Sequence, residues 1–304
     1  MDKIIEVKGL KNNYVPVEAV KGIDFYVEKG KLFAFLGPNG AGKSTTINVI
    51  CTLLKYDAGD VSVNHLELGR DDDQIRNQIG IVFQDSVLDS LLTVEENLRI
   101  RGGFYGLSKD ELSEAINKAL TVTDIQELRN RRYGQLSGGQ RRRADIARAL
   151  IHQPKILFLD EPTTGLDPQT RKSVWTMIEN LYVNEGVTVF LTTHYMEEAA
   201  KADYVIIIDN GHLVAKGTPN ELKDKYSSDS LQIKPNDKSS LIEALSKDNI
   251  SYRCESDVVI IPLQSTTDAL PLLKKFESNI TTFQVLNGTM DDAFISITGK
   301  EMRE

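Results

Sequence analysis

The chain has 304 residues and a formal net charge of -8, with a pI of about 5.2. This acidic balance argues against a general nucleic-acid binder, which would more often be basic, so we expect no nucleic-acid partner. Its two cysteines provide neither a disulfide framework nor metal-site spacing, which is typical of free thiols in a reducing compartment. The sequence shows no signal-peptide pattern, and its apolar runs are far shorter than the roughly 20 residues of a membrane span. We therefore expect a soluble, cytoplasmic protein that reaches a membrane only through a partner.

Strand and helix patterns alternate along most of the chain. Short apolar segments predict strands at Ile4–Val7, Ala19–Val27, Lys31–Leu36, Ile79–Gln84, Lys155–Glu161, Val187–His194 and Tyr204–Asp209. Ser44–Leu54 has a helical pattern, and helical patterning dominates residues 85–151. Thr93 and Glu96 form a capping-box pattern within that region. Strands that alternate with helices predict a mainly parallel sheet with right-handed crossovers.

A domain boundary is predicted near Tyr226. Thr218, Pro219 and Glu221 supply a cap, a first-turn proline and a third-position acid, which predict one last helix before a serine-rich linker. The rest predicts strand, helix, strand, strand, helix and strand at Leu231–Lys234, Lys238–Ser246, Ile250–Cys254, Val258–Leu263, Thr267–Phe276 and Ile280–Leu286. This order is typical of a small ferredoxin-like α+β unit. We therefore divide the chain into a larger domain of residues 1–226 and a smaller one of residues 227–304.

The segment GPNGAGKST fits the phosphate-binding pattern G-x-x-x-x-G-K-[ST] and follows a predicted strand. Glycines allow several backbone N–H groups to converge on phosphate oxygens, and the helix N-terminus that follows favours negative charge. Lys43 is expected to reach the β- and γ-phosphates, and Ser44 to hold Mg²⁺. A chance glycine turn is the alternative, and the strand–helix context argues against it. The expected nucleotide-binding residues here are Gly37, Pro38, Asn39, Gly40, Ala41, Gly42, Lys43, Ser44 and Thr45.

Polar side chains stand at the ends of other predicted strands. Asp160 and Glu161 end the apolar run KILFLDE, where an acid can approach Mg²⁺ beside a phosphate loop. Asp160 suits the metal, and Glu161 suits the orientation or deprotonation of an attacking water. Gln84 offers an uncharged ligand to metal or water, His194 ends a further strand, and Tyr14 is able to stack on a purine base. Isolated residues of these last three kinds are most often surface or core side chains, so their assignment depends on the rest of the set.

A second glycine loop, LSGGQ at Leu136–Gln140, runs into a basic helix. With the phosphate loop and the segments VFQ, LFLDEP, GLDP and TTH, it occurs in the order and approximate spacing of the ATP-binding-cassette (ABC) ATPases, which residues 1–226 resemble. LSGGQ is the most specific of these motifs, because generic phosphate-loop NTPases lack it. RRRADIARALIHQPKILFLDEPTTGLDP and the C-terminal segment GTMDDAFISITGK resemble ATPase subunits of drug, polysaccharide or lipid exporters.

The resemblance implies an α/β fold and a division of labour between the two glycine loops. The implied fold is a phosphate-loop cassette with a mainly parallel sheet, an N-terminal antiparallel β subdomain, a helical subdomain at about 85–151 and a C-terminal ferredoxin-like domain. Two such cassettes are implied to stack head to tail in the ATP-bound state, as a homodimer or with a paired ATPase subunit, and ATP with Mg²⁺ lies between them. The residues implied to press on the ATP of the partner copy are Ser137, Gly138, Gly139 and Gln140.

The resemblance also assigns roles to single residues. Glu161 is implied to be the catalytic carboxylate, while Gln84 and His194 act at the γ-phosphate and metal. Asp167 of GLDP is implied to couple the two sites, and Tyr14 corresponds to the aromatic adenine platform. The implied metal ligands are Ser44, Gln84 and Asp160.

The implied function is an ATPase subunit on the inner face of the membrane that powers a separate permease, an exporter by resemblance. Two alternatives are a soluble cassette ATPase that acts on ribosomes or DNA, and a lone phosphate-loop kinase or GTPase, which leaves LSGGQ without a role. The apolar segment Asp85–Tyr105 is either a dock for a cytoplasmic helix of the permease or part of the core. Arg141–Arg143 are expected to pair with local acids or to lie near the dimer seam.

Overall fold

The computed structural model describes residues 2–14 and 17–299, which form two compact units that divide between Thr218 and Pro219. This division lies before the predicted boundary at Tyr226, so the helix that begins at Pro219 belongs to the second unit. Residues 300–304 of the predicted smaller domain lie outside the described residues, and its role as an accessory domain stays a prediction. Within the described ranges, no helix combines the length and apolarity that a membrane crossing needs.

The elements of the first unit follow the predicted alternation. Its strands are β1 (Lys3–Tyr14), β2 (Val17–Glu28), β3 (Leu32–Leu36), β4 (Ala58–Val63), β5 (Leu66–Glu67), β6 (Ile79–Val82), β7 (Ile156–Asp160), β8 (Thr188–Thr192), β9 (Tyr204–Asp209) and β10 (His212–Gly217). Its helices are α1 (Lys43–Ile50), α2 (Asp72–Arg76), α3 (Val94–Gly103), α4 (Lys109–Val122), α5 (Gly138–Leu150), α6 (Pro168–Val183) and α7 (Met196–Ala199). Gln84 and His194 each follow their strand by two residues instead of ending it.

Two sheets pack face to face in this unit. The antiparallel sheet has the order β2-β1-β4-β5, and the central sheet has the order β10-β9-β3-β8-β7-β6. In the central sheet, β10 pairs antiparallel with β9 and the other neighbouring strands pair parallel, which confirms the prediction of a mainly parallel sheet. The first sheet is the predicted N-terminal antiparallel subdomain. Strands β3, β7, β8 and β9 are almost completely buried, as their continuous apolar sequences require of strands covered on both faces. The ring of Phe25 in β2 lies 5.8 Å from that of Phe33 in β3 and joins the two layers.

Helices α3, α4 and α5 form a subdomain with a core of its own. Val94, Leu98, Ile116, Leu120 and Ala147 are buried together in that core. Each of the three helices begins with a reciprocal capping box, and the first of these is the predicted pair of Thr93 and Glu96. The predicted helical subdomain at about 85–151 is therefore present.

Helix α5 is fixed to the edge of the central sheet by polar side chains. β6 is the edge strand among the described residues, so carbonyls on its outer side have no neighbouring strand to bond. Side chains donate hydrogen bonds to these carbonyls instead. Arg142 donates to Phe83, Arg148 to Ile81 and His152 to Ile79. Burial lowers the pKa of His152 to about 4, so its neutral ring donates to the carbonyl. These bonds attach α5 firmly to β6.

The three consecutive arginines of α5 have different surroundings. Arg143 pairs with Asp124 at 3.0 Å, in agreement with the expectation of local acidic partners. Arg141 donates to the carbonyl of Gly134 at 2.8 Å. Arg142 is buried and bonds main-chain carbonyls instead of an acid, which corrects that expectation for this residue.

The second unit confirms the ferredoxin-like prediction. Its elements are α8 (Pro219–Tyr226), β11 (Asp229–Pro235), α9 (Lys238–Lys247), β12 (Arg253–Glu255), β13 (Val258–Leu263), α10 (Ala269–Lys275), β14 (Ile280–Leu286) and α11 (Met290–Thr298). The strands pair antiparallel throughout in the order β12-β13-β11-β14. Helix α11, which packs against α8, was not predicted, although Thr289 and Asp292 form a capping box at its start.

Glu95 gives this fold a testable dependence on pH. It accepts hydrogen bonds from Arg129 at 2.7 Å and Arg99 at 2.6 Å, which lower its pKa from 4.5 to about 2. A carboxyl group with a lowered folded-state pKa stabilises the fold above its ordinary pKa, and this stability is lost as the pH falls through the folded-state value. We expect Glu95→Gln to reduce the free energy of unfolding by about 1–2 kcal/mol at pH 7.

The measurement is urea unfolding of the wild type and Glu95→Gln at several pH values. The difference between them should shrink as the pH falls from 4.5 toward about 2. Glu114→Gln on the exposed side of α4 is the control and should match the wild type. A Glu95→Gln difference that does not depend on pH would contradict the assignment.

Candidate nucleotide-binding site at the ends of the central strands

The glycine loop between β3 and α1 has a backbone shape that glycine alone supplies. Gly42 caps α1 with a φ of 109°, in the left-handed region that side-chain-bearing residues rarely adopt. A Cβ atom there would lie 2.5 Å from the carbonyl oxygen of Ala19 in β2. The loop therefore brings its main chain close to its neighbours, and the N-terminus of α1 lines an open cavity.

Lys43 lies inside the curve of this loop. Its ammonium donates to the carbonyl of Gly37 at 2.6 Å and to that of Pro38 at 3.2 Å. Burial lowers the pKa of Lys43, and the nearby charges of Glu161 and Asp160 oppose that effect. The cation is therefore held in place, within electrostatic reach of both acids, by weak neutral acceptors that a phosphate oxygen can replace.

The two acids at the end of β7 are positioned by β8. The hydroxyl of Thr192 donates to the Asp160 carboxylate at 2.5 Å, and the Glu161 N–H donates to the Thr192 carbonyl at 3.1 Å. His194 bonds the Glu161 carboxylate, and this bond is the main reason that the pKa of Glu161 is lowered. Glu161 is therefore ionised at neutral pH and available to accept a proton or a hydrogen bond.

Most of the predicted site residues line one open cavity of about 460 Å³. Those that do so are Tyr14, Asn39, Gly40, Gly42, Lys43, Ser44, Thr45, Gln84, Glu161 and His194. Gly37, Pro38 and Ala41 belong to the same loop but do not line the cavity, and the Asp160 carboxylate is bonded to Thr192. Strand β1 extends well beyond the predicted Val7 and ends at Tyr14, which brings this half-exposed ring to the cavity.

The LSGGQ residues lie outside this cavity, at the start of α5. Ser137 is the N-cap, and its N–H donates to the side-chain oxygen of Gln140 at 3.0 Å. Asp167 is likewise the N-cap of α6, where its carboxylate accepts from the N–H groups of Gln169 and Thr170. The predicted site residues that the structure keeps apart from the cavity are Ser137, Gly138, Gly139, Gln140 and Asp167.

The two capped loops are close to each other. A Cβ atom on Gly138 would lie 3.3 Å from Leu166, and one on Gly139 would collide with Thr170. A side chain at Gly139 would therefore force Thr170 to shift, because α6 approaches the loop closely. The sequence did not reveal this contact, nor the roles of Thr192 and Arg142 in holding the acids.

These features define the class of the protein as a phosphate-loop nucleoside triphosphatase. A strand, a glycine loop and a helix form the anion site, a lysine lies within it, and an acid at the end of a nearby parallel strand faces the same cavity. Generic members of that class do not need a second, capped glycine loop away from the cavity.

Comparison with known proteins identifies the family. The family model for ABC transporters matches residues 20–164. The chain is 36% identical to the daunorubicin/doxorubicin resistance ATP-binding protein DrrA of Streptomyces peucetius, over 98% of this chain and 93% of that protein. It is 33% identical to the Nod factor export ATP-binding protein I of Ralstonia nicotianae, over 99% and 95% of the two chains.

A solved structure gives the same result. The dimeric, post-hydrolysis ATP-binding cassette MJ0796 bound to ADP and Pi has a TM-score of 0.64 and 30% identity, over 70% of this chain and 98% of that one. The chain therefore belongs to the ATP-binding proteins of ABC transporters, and it is an ATPase.

Gly42→Ala tests the shape of the phosphate loop. Because the added methyl group meets the Ala19 carbonyl and the φ is positive, we expect the free energy of unfolding to fall by about 1–3 kcal/mol and ATP affinity to fall at least about tenfold. Equilibrium binding of a fluorescent ATP analogue measures the second effect. Gly103→Ala at the end of α3 is the control, since a methyl group there meets nothing within 4 Å, and it should keep normal affinity. Equal affinity in both variants would argue against a phosphate site at this loop.

Proposed function

We propose that this ATPase powers a separate membrane-spanning permease through the ATP-driven closing and reopening of a dimer of cassettes. The observation that supports this best is the split of its motif residues. The phosphate loop, Gln84, Glu161 and His194 share one cavity, while the Ser137–Gln140 loop stands apart from it on the same chain. A second copy stacked head to tail would supply the missing loop to each cavity.

The residues that face the cavity have distinct chemical tasks in this proposal. The ammonium of Lys43 and the N–H groups at the start of α1 bind the β- and γ-phosphates. Glu161 accepts the hydrogen bond, and then the proton, of the attacking water, while His194 orients the carboxylate through their direct contact. Gln84 contacts the water or the metal, and Tyr14 stacks on the adenine base.

The residues at this end of the sheet also suit Mg²⁺. A hydroxyl oxygen from Ser44, an amide oxygen from Gln84 and a carboxylate oxygen from Asp160 are hard donors of the kind that Mg²⁺ binds together with substrate phosphates. Ser44 and Gln84 line the same cavity, and Asp160 is oriented by the Thr192 hydroxyl. When bound, the ion would neutralise charge on the phosphate oxygens.

The second glycine loop is suited to a phosphate that arrives from outside its own chain. Ser137 provides a hydroxyl, Gly138 is exposed, and the positive N-terminus of α5 does not line the cavity of its own chain. Asp167 lies beside this loop at the start of α6 and is placed to couple the two sites. The nucleotide would complete the contact between copies, so loss of the γ-phosphate would release it.

The segment Asp85–Tyr105 divides between the core and a surface. Leu88, Val94 and Leu98 pack into the helical subdomain. Val87, Leu91, Ile100 and Phe104 are exposed, with Leu91 and Phe104 about three-quarters accessible. Phe104 also borders an open groove of about 410 Å³ that Leu53, Arg76 and Arg101 line from the two sides. This groove is our candidate dock for a cytoplasmic helix of the permease, which would keep the ATPase on the inner face of the membrane.

The relatives suggest the cargo class. Their names report daunorubicin and doxorubicin resistance in one case and Nod factor export in another. We therefore propose an exporter, with a drug, lipid or polysaccharide as its cargo. The cargo would contact the permease, so the residues of this chain do not select it.

Glu161→Gln tests the catalytic assignment. The amide retains the shape of the side chain but cannot take up the proton, so turnover should fall about a hundredfold or more while ATP affinity is retained. ATP should then accumulate a stable dimer, which size-exclusion chromatography with light scattering would detect. Glu197→Gln on the exposed side of α7 is the matched control and should hydrolyse ATP normally. Normal turnover in Glu161→Gln would remove this residue from its role.

Leu53→Asp combined with Phe104→Asp tests the dock, because both of these exposed side chains line the groove. A carboxylate placed in an apolar contact costs binding energy, so co-purification with the permease in detergent should be lost while ATPase activity of the isolated subunit is retained. Val183→Asp, at another exposed apolar position at the end of α6, is the control. Unchanged assembly of the double variant would place the permease contact elsewhere, and co-sedimentation with ribosomes instead of membranes would favour the soluble alternative.

A further inference from the structure

One buried side chain, Arg142, joins the main chain at both strand ends that flank the candidate site. Its guanidinium donates to the carbonyls of Phe83 (2.5 Å), Asp160 (2.8 Å), Glu161 (2.9 Å) and Pro162 (2.6 Å). Phe83 directly precedes Gln84, and the other three acceptors continue β7 through Glu161. A planar fork of five donors suits such a set of divergent acceptors, whereas a lysine ammonium does not.

The backbone of Glu161 depends on this arrangement. Its φ is 46°, a strained conformation for a residue with a side chain, which persists only where the surroundings enforce it. Its N–H donates to the Thr192 carbonyl and its own carbonyl accepts from Arg142, so the residue is held from both sides. Removal of the guanidinium would release one of these two restraints and take one donor away from each of four buried or partly buried carbonyls.

Arg142 also belongs to the helix that carries the second glycine loop. It lies between the N-cap Ser137 and the residues Arg148 and His152, which fix α5 to β6 farther along. Because α5 is anchored at these points, a shift of the main chain at Gln84 or Glu161 is passed to the start of the helix, and a shift of the helix is passed back.

We infer that Arg142 is a positioning residue that links the ATP site of its own chain to the LSGGQ loop of the same chain, and thereby to the second ATP of the dimer. It touches neither nucleotide and acts through the backbone. The inference rests on the proposed function, because it requires a dimer in which each loop serves the other copy. When the γ-phosphate positions Gln84 and Glu161, Arg142 sets the loop in the orientation that closes the opposite site.

The test measures closing of the dimer in a Glu161→Gln background, where the catalytic side chain is already replaced. Arg142→Gln and Arg142→Lys are each added to this parent. Arg143→Gln is the control because, among the described residues, Arg143 bonds Thr123, Asp124 and Ser173, which do not line the cavity. Two quantities are compared: the ATP concentration at half-maximal dimer formation, by light scattering, and the ATP affinity of the monomer at low protein concentration.

We expect Arg142→Gln to raise the ATP concentration for half-maximal closing about tenfold, and Arg142→Lys by a smaller factor, because the lysine keeps the charge and fewer donors. Monomer ATP affinity should stay within about twofold of the parent, since the phosphate loop is intact. Arg143→Gln should match the parent in both measurements. Arg142→Lys keeps the test open if the glutamine variant does not fold.

Other outcomes separate the inference from the proposed function. Closing at the parent's ATP concentration would overturn the inference, because a residue that only supports the catalytic carboxylate has no effect once Glu161 is replaced. An equal defect in Arg143→Gln, or weakened ATP binding by the Arg142→Lys monomer, would also overturn it. If the Glu161→Gln parent formed no ATP-dependent dimer, the proposed function itself would fail.

Discussion

The candidate site depends on four parallel strands of the central sheet, β3, β6, β7 and β8, whose carboxyl ends lie along one edge. Lys43 follows β3, Gln84 follows β6, Glu161 follows β7 and His194 follows β8. These residues are far apart in sequence, but they meet because their strands end side by side. The strand order places β8 between β3 and β7, which is why Thr192 can bond the acids at the end of β7. A single antiparallel strand at this point would send one of these side chains to the opposite edge.

The charged groups at that edge stabilise one another within the protein. Burial disfavours the ammonium of Lys43, but the two acids at the end of β7 favour it, and Glu161 in turn gains from His194 and Lys43. A buried charge costs several kcal/mol unless it has partners, so these groups limit one another's cost of desolvation. When a triphosphate and its cation bind, phosphate oxygens would replace the acids as partners of Lys43, and the cation would replace Lys43 as a partner of the acids. Such an exchange is favourable in a prearranged site because the protein groups do not have to move far.

The sequence predicted the elements whose signals are local and missed the contacts that depend on packing. Continuous apolar runs identified β3, β7, β8 and β9, and glycine spacing identified the phosphate loop, because burial on both faces and a tight backbone each restrict residue type directly. Arg142 has no such signature, since its acceptors are main-chain carbonyls 18 to 59 residues away and any residue supplies those. For the same reason, the sequence could not tell that Leu88 faces the core while Leu91 faces solvent. The predicted first domain extends to Tyr226 because a well-capped helix resembles the end of a domain. In the structure, α8 instead packs against α11, a helix that the apolar pattern does not predict.

The attachment of α5 also bears on which chain completes the site. If the Ser137–Gln140 loop were on a flexible arm, it could swing into the cavity of its own chain and the protein could work as a monomer. It is instead the capped start of a helix that Arg142 holds against the strand ends beside the cavity, and that Arg148 and His152 hold against β6 farther along. A helix that is fixed to one side of a cavity cannot also close that cavity from the opposite side. The contacts that fix α5 therefore favour a second copy as the source of the closing loop. Two copies of the chain related by a twofold axis can each close the cavity of the other.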